Sequence, residues 1–117
     1  MNGLARYVAG RSAEDAVARH YESLGFQRVA ARFRARSGEI DLIMRGDDGL
    51  VFVEVKSARD FASAAGRLTA RQFQRIWHAA EEFLAREPLG SLTPSRLDAA
   101  LVDRLGRVEV IENAYMA

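Results

Sequence analysis

The chain has 117 residues, of which 49% are hydrophobic and 28% are charged, and its formal net charge is +1. This composition predicts one ordinary globular domain over residues 1–117, large enough to build a core without disulfides. Cysteine is absent, which excludes a disulfide framework and thiolate chemistry. No apolar run is long enough for a signal peptide or a membrane span, so we expect a cytoplasmic protein with no membrane partner.

The first predicted elements are a helix and a strand. Ser12 is a favourable N-cap, and apolar residues then recur at helical spacing, which predicts an amphipathic helix over residues 12–24 that ends at Gly25. Residues 26–34 alternate between apolar and basic side chains, as in a strand. The alternation places Val29, Ala31 and Phe33 on one face and Arg28, Arg32 and Arg34 on the other.

A β-hairpin is predicted next, with strands over residues 39–45 and 50–56 and a turn at residues 46–49. Alternation along the first strand separates Glu39, Asp41 and Ile43 from Ile40, Leu42 and Met44. Along the second strand it separates Phe52, Glu54 and Lys56 from Val51, Val53 and Val55. Because the strands of a hairpin are antiparallel neighbours, we expect Asp41 and Glu54 to lie close together across the ladder.

The second half of the chain contains a helix and two strands. Residues 59–68 are small and include glycine, which predicts a loop, and Thr69 is a favourable cap for a helix extending to about Glu87. Residues 97–102 and 107–111 predict a closing strand pair, and Arg96 and Asp98 share a strand face on which they can pair. The order α-β-β-β-α-β-β predicts a mixed α/β fold with helices against a small sheet.

The only lysine in the chain is Lys56, whereas the other 16 basic residues are arginine. Lysine is a compact point charge, and two carboxylates on neighbouring strands repel each other unless a cation lies between them. Asp41, Glu54 and Lys56 therefore predict a Mg²⁺ site that water and a substrate phosphate complete. Glu14 falls within the apolar stripe of the first helix, where it either joins this site or pairs with an arginine.

A basic segment precedes these acids. Arg28, Arg32, Arg34 and Arg36 lie within nine residues, and no acidic residue separates them. Such a patch can supply phosphate contacts to a nucleic acid, although a solvated strand face is the commoner role of a charge run. Beside a predicted metal site, we favour nucleic-acid contact.

These motifs resemble those of a nuclease superfamily. Asp41 followed by Glu54-Val55-Lys56 is similar to the PD-(D/E)xK signature of restriction-endonuclease-like nucleases, and Glu14 is similar to the extra acid of the Holliday-junction-resolvase branch. More narrowly, residues 38–43 and 52–56 resemble two motif blocks of the YraN family of small bacterial endonuclease-like proteins. The resemblance covers nearly the whole chain. It departs from the family pattern at Arg32, where asparagine is usual, and after Lys56, where Thr-Arg is usual.

The resemblance implies a restriction-endonuclease-like mixed sheet flanked by helices, and a DNA endonuclease that depends on Mg²⁺ or Mn²⁺, with branched or damaged DNA among its substrates. The implied catalytic set is Asp41, Glu54, Lys56 and Glu14. The implied metal site consists of Asp41, Glu54, the Val55 carbonyl and Glu39. The resemblance also implies DNA contacts by Arg71 and Gln72, and with the basic segment and Arg59 the predicted DNA contacts are Arg32, Arg34, Arg36, Arg59, Arg71 and Gln72. The alternative is a module of the same fold that binds nucleic acid or protein without cutting, and either version can act as a homodimer or beside a larger partner.

Overall fold

The computed structural model describes residues 3–115, and it describes side chains from Gly10 onward. The helices and strands in chain order are α1 (Gly3–Ser23), β1 (Gln27–Arg34), β2 (Glu39–Gly46), β3 (Gly49–Ser57), α2 (Phe61–Ala65), α3 (Ala70–Leu84), a 3-10 turn (Gly90–Leu92), β4 (Ser95–Val102) and β5 (Val108–Ile111). The predicted mixed α/β architecture is confirmed, and α2 is an additional short helix within it.

The five strands form one sheet in the order β1-β2-β3-β4-β5. Strands β3 and β4 are parallel, and the other neighbours are antiparallel. Parallel strands need a long crossover, which α2 and α3 supply. Helix α1 covers one face of the sheet and α3 the other, so two hydrophobic layers form. The α1 layer includes Val17, Tyr21, Leu42, Met44, Val51 and Val53. The α3 layer includes Ile40, Ile43, Phe52, Phe73, Ile76, Phe83 and Leu97.

The predicted start of the first helix was wrong. Helix α1 already includes Gly3, so Ser12 is an exposed residue inside the helix and does not cap it. A capping residue marks a helix start only when the residues before it do not continue the helix, and Leu4, Ala5 and Arg6 are good helix formers. The C-terminal end was close to the prediction, because Gly25 adopts a φ of +96° just after Ser23.

The segment predicted as a loop over residues 59–68 contains helix α2. Asp60 caps this helix, and its Oδ1 accepts a hydrogen bond from the Ser63 N–H at 2.7 Å. Thr69 caps α3 as predicted, since its Oγ1 accepts from the Gln72 N–H at 3.1 Å. Helix α3 ends at Leu84, before the predicted Glu87. Strand β4 begins two residues before the prediction, and β5 begins one residue after it.

The predicted alternation is confirmed in β3 but was wrong in β1. The pairing of β1 with β2 shifts register between Arg28 and Ala30, and Arg32 has a φ of +53°. Because a bulge changes the face to which later residues point, Ala30 and Phe33 both pack against the α3 layer, while Val29 is exposed. Arg28, Arg32 and Arg34 therefore do not form one regular basic face.

The predicted alternation was also wrong in β2, where it changes at Asp41. Ile40 and Ile43 lie in the α3 layer, and Leu42 lies in the α1 layer. The pairing of β2 with β3 runs from the Gly46–Gly49 turn only as far as Leu42 and Val53. Asp41 and Glu54 follow directly beyond this last pair, at the point where the regular ladder between the strands ends.

Within residues 3–115, no helix combines the length and the apolar character that a membrane crossing requires.

Candidate active site

The centre of the candidate site is a pair of carboxyl groups at the end of the β2–β3 ladder. Asp41 Oδ2 accepts a hydrogen bond from the Val55 N–H at 2.8 Å, so the Asp41 side chain fills the place of a backbone partner. Glu54 lies beside it, and only 12% of the Glu54 side chain is exposed. Burial, followed by hydrogen bonding to Asp41 and the Asp41 charge, raises the pKa of Glu54 to about 9. The raised pKa favours the protonated form of Glu54 near neutral pH.

Lys56 lies on the same face of β3 as Glu54, as predicted. Its Nζ is 4.0 Å from Glu54 Oε2, and its side chain is 14% exposed. On the other side, the Gln72 side-chain oxygen accepts from Lys56 Nζ at 3.2 Å in the amide orientation that also lets Gln72 donate to the Arg67 carbonyl at 3.1 Å. The N-terminal turn of α3 thus fixes the lysine beside the two acids. Gln72, which the resemblance implied as a DNA contact, holds the lysine in this structure.

The structure gives Glu14 an arginine partner, which is one of the two roles that the sequence left open. Its Oε1 accepts from Arg32 Nε at 3.0 Å, and its side chain is 14% exposed. Burial raises the pKa of Glu14, hydrogen bonding to Arg32 lowers it, and the Asp41 charge raises it again, with a net upward shift. Glu14 is therefore paired with an arginine and also lies within electrostatic reach of Asp41.

A cleft of about 240 Å³ opens onto Glu54 between the start of β2, the end of β3 and the N-terminal half of α3. Its lining residues are Gly38, Glu39, Glu54, Gln72, Arg75 and Ile76. Arg75 was missed in the sequence, although it lies one helical turn after Gln72 on the same side of α3 and so could have been found from the spacing. Its exposed side chain adds a cation to a cleft that otherwise carries two acids.

Among the described residues, no group of three or more His, Cys, Asp or Glu side chains is arranged to hold a metal ion. The donor set of Asp41 and Glu54 nevertheless fits Mg²⁺, which binds through one or two carboxylates and keeps several waters. The N–H and C=O of a strand residue point to the same edge of the strand, so the Val55 carbonyl points to the edge of β3 at which the Val55 N–H meets Asp41. A cation would replace the proton on Glu54 and remove the repulsion between the acids. Glu39 lines the cleft, and its Oε2 is 3.3 Å from Arg34 Nε.

The residues implied as DNA contacts differ in accessibility. Arg34 and Arg59 are highly exposed, and they form ion pairs with Glu39 and with the neighbouring Asp60. The side chains of Arg36 and Arg71 are also exposed. Arg32 differs from them because it points to Glu14 and is 33% exposed. DNA contact by these residues stays a prediction.

A second charged cluster lies away from the candidate site. Asp98 on β4 is completely buried, and its oxygens accept from Tyr21 Oη at 2.7 Å, from Arg96 Nε at 3.0 Å and from the Asn113 N–H at 2.9 Å. The predicted pairing of Arg96 with Asp98 is confirmed. Every oxygen of this carboxylate has a partner, so the cluster ties α1, β4 and the segment after β5 together.

Comparison with known proteins places the chain in a family. The family model described as uncharacterised protein family UPF0102 matches residues 13–111, which include every candidate site residue. The UPF0102 protein of Ruegeria pomeroyi is 56% identical over 113 residues, covering 97% of this chain and 92% of the relative. A UPF0102 protein of Cereibacter sphaeroides strain ATCC 17029 is 56% identical over the full length of both chains. The UPF0102 protein of Azorhizobium caulinodans is 44% identical over 111 residues, covering 95% of this chain and 85% of the relative. These matches confirm the YraN-like resemblance, and the chain belongs to the UPF0102 family.

Proposed function

We propose that this protein is a Mg²⁺-dependent endonuclease of the PD-(D/E)xK superfamily that hydrolyses phosphodiester bonds in DNA. The observation that carries the proposal is the largely buried pair of acids, Asp41 and Glu54, beside the only lysine of the chain. Like charges in a poorly solvated site lower the stability of the fold. Acids with a strongly shifted pKa, such as Glu54, cluster at functional sites. Glu54 also lines a cleft, through which a substrate can reach it.

The residues of the site have separable tasks in this reaction. Asp41, oriented by the Val55 N–H, and Glu54 would hold the ion through carboxylate oxygens, and Glu54 would lose its proton on binding. Mg²⁺ held there would polarise a scissile phosphate and lower the pKa of a water molecule. In the proposed hydrolysis a water would attack phosphorus and one P–O ester bond would break, which would leave a phosphate monoester and a hydroxyl end.

Lys56 is the residue suited to the charge that develops during this attack. Its ammonium group is held between Glu54 and Gln72, so it needs little rearrangement to meet a phosphate oxygen or to orient the attacking water. A preorganised cation of this kind stabilises a transition state more than a mobile one does, because the reorganisation is already complete. Arg75 in the cleft and the exposed Arg71 and Arg36 would bind backbone phosphates on either side.

The test is a cleavage assay with Mg²⁺ or Mn²⁺ on duplex, single-stranded, flap and four-way-junction DNA. We expect Lys56→Met to lower the cleavage rate at least about 100-fold, the usual loss when a transition-state donor is removed. The matched control is Arg104→Met, which removes an exposed cation from the β4–β5 loop. Asp41→Asn should also abolish cleavage, whereas Asp48→Asn at the opposite end of the same hairpin should not.

Two results would contradict the proposal. Cleavage that survives both Lys56→Met and Asp41→Asn would show that these residues do not form the active site. Binding of DNA without cleavage, on every substrate and with either metal, would favour the alternative of a nucleic-acid-binding module, which the exposed arginines near the cleft support.

A further inference from the structure

Arg32 has an unusual backbone conformation for a residue in a strand. Its φ is +53°, a left-handed value that residues with a bulky side chain seldom adopt because the Cβ then approaches the backbone. It lies in β1 between the paired residues Ala31 and Phe33, whose partners on β2 are Leu42 and Ile40. Asp41 is therefore the β2 residue opposite Arg32. Such strain persists when the surrounding structure fixes it, and it is concentrated at functional sites.

The side chain of Arg32 reaches α1 and binds Glu14 there. Its Nε donates to Glu14 Oε1 at 3.0 Å, and both side chains are largely or partly buried. The nearby positive charge of Arg11 also acts on Glu14. A carboxylate that is hydrogen-bonded to a guanidinium has a neutralised charge and one oxygen already engaged, which makes it a poor ligand for a cation.

We propose that Arg32 withholds Glu14 from the metal site, so that this protein binds a divalent cation through Asp41 and Glu54 without a third carboxylate. The inference rests on the proposed function, because it concerns the ligands of the same ion. It assigns Arg32 to the site as a positioning residue, in place of the DNA contact that the basic segment predicted. Release of Glu14, which lies within electrostatic reach of Asp41, would add a carboxylate ligand and strengthen cation binding.

The structure contains a matched control for this contact. Arg28 lies on the same strand, and its Nη1 is 3.8 Å from Asp15 Oδ1 on the same helix. Both of these side chains are more exposed than their counterparts in the Arg32–Glu14 pair, and Arg28 is not among the described residues with a positive φ. Replacement of Arg28 therefore removes one positive charge from β1, as replacement of Arg32 does, but leaves the hydrogen bond between Arg32 and Glu14 in place.

The experiment measures Mn²⁺ binding to the full chain by isothermal titration calorimetry, without DNA. Arg32→Asn should fold, because asparagine tolerates left-handed backbone angles well. We expect it to bind Mn²⁺ about 10-fold more tightly than the wild type, equivalent to about 1.4 kcal/mol. The double variant Arg32→Asn with Glu14→Gln should lose this gain, and Arg28→Asn should bind like the wild type.

The single variant Glu14→Gln tests the inference independently of how Arg32→Asn folds. If Glu14 is withheld, its replacement lowers the Mn²⁺ affinity of the wild-type background far less than Asp41→Asn does, whereas a 10-fold loss would overturn the inference. Wild-type binding that requires Asp41 but does not increase in Arg32→Asn would also overturn it, and would leave the proposed function standing. Absence of Mn²⁺ binding in the wild type and in every variant would overturn both.

Discussion

Two carboxylates of this protein are removed from solvent in opposite ways. Asp98 is fully buried and is surrounded by donors, namely the Tyr21 hydroxyl, the Arg96 guanidinium and the Asn113 N–H. Glu54 is 12% exposed, and its neighbours are another acid, Asp41, and a lysine at 4.0 Å. The first carboxylate has every partner that burial requires, whereas the second has an unfavourable neighbour.

The difference distinguishes a structural charge from one that the proposed function would use. A buried carboxylate with a complete set of donors contributes to the folded state and has no capacity left for a ligand. Burial and a second acid raise the pKa of Glu54, which means that its ionised form is destabilised in the folded protein. A bound cation can offset this loss of stability. Of these two carboxylates, Glu54 beside Lys56 is the one that a divalent cation would stabilise.

Among the changes suggested by this comparison, we expect the removal of Asp98 to have the largest effect on the free energy of unfolding. Asp98→Ala leaves the Arg96 charge and the Tyr21 hydroxyl without their acceptor, so the free energy of unfolding should fall by about 3–5 kcal/mol. Urea unfolding measures this loss, with Glu22→Ala on the exposed surface of α1 as a control. A loss no larger than that of the control would show that the Asp98 cluster does not hold the fold together.

Glu54 should give a smaller effect that depends on pH. Its folded-state pKa of about 9 lies above the ordinary 4.5, so the folded state binds more protons than the unfolded state between these values. The stability that protonated Glu54 contributes to the folded state is fully present below its ordinary pKa and is lost as the pH rises through its folded-state pKa. We expect the free energy of unfolding to decrease on the order of 2 kcal/mol over this window, after allowance for the partial exposure of Glu54.

The comparison variant for this prediction is Glu54→Gln. Because glutamine cannot ionise, this variant should lose most of the slope of the free energy of unfolding against pH. Saturating Mg²⁺ should reduce this pH dependence in the wild type, since the cation takes the place of the proton on Glu54. Urea titrations at a series of pH values measure both effects. An equal slope in the wild type and in Glu54→Gln would assign the pH dependence to other groups.

The smallest expected effect comes from a single donor of the Asp98 cluster. Tyr21→Phe removes the 2.7 Å hydrogen bond to Asp98 Oδ2 but leaves the bonds from Arg96 and Asn113. Because the carboxylate keeps most of its partners, the free energy of unfolding should fall by about 1–2 kcal/mol. A loss as large as that of Asp98→Ala would mean that the tyrosine, and not the acid, organises the cluster.

Regular elements of the fold could be predicted because their patterns are local. Helix α3 was recognised from its apolar stripe and from Thr69, and β3 from strict alternation. The errors occurred where a second local feature overrode the rule on which the prediction was based. Ser12 is a good cap in a segment that is already helical, and α2 begins at an Asp60 cap within a segment rich in small residues.

The acids and the lysine of the candidate site could be predicted only in part. Glu54 and Lys56 share a face of β3, as alternation requires, but the alternation fails in β2 next to Asp41. The contact between Lys56 and Gln72 and the position of Arg75 in the cleft depend on how α3 packs across the sheet. No local pattern specifies that packing, because the residues are separated by a crossover connection.

The sequence by itself determined the mixed α/β class, the family, the β2–β3 hairpin and the residues that carry charge near its open end. These features follow from periodicity, turn chemistry and motif spacing, which act over a few residues. Only the tertiary structure decided that Glu14 pairs with Arg32, that Gln72 holds Lys56, and that Asp98 is buried among donors while Glu54 lies against Asp41. Burial and long-range pairing set these outcomes, and both are properties of the packed layers.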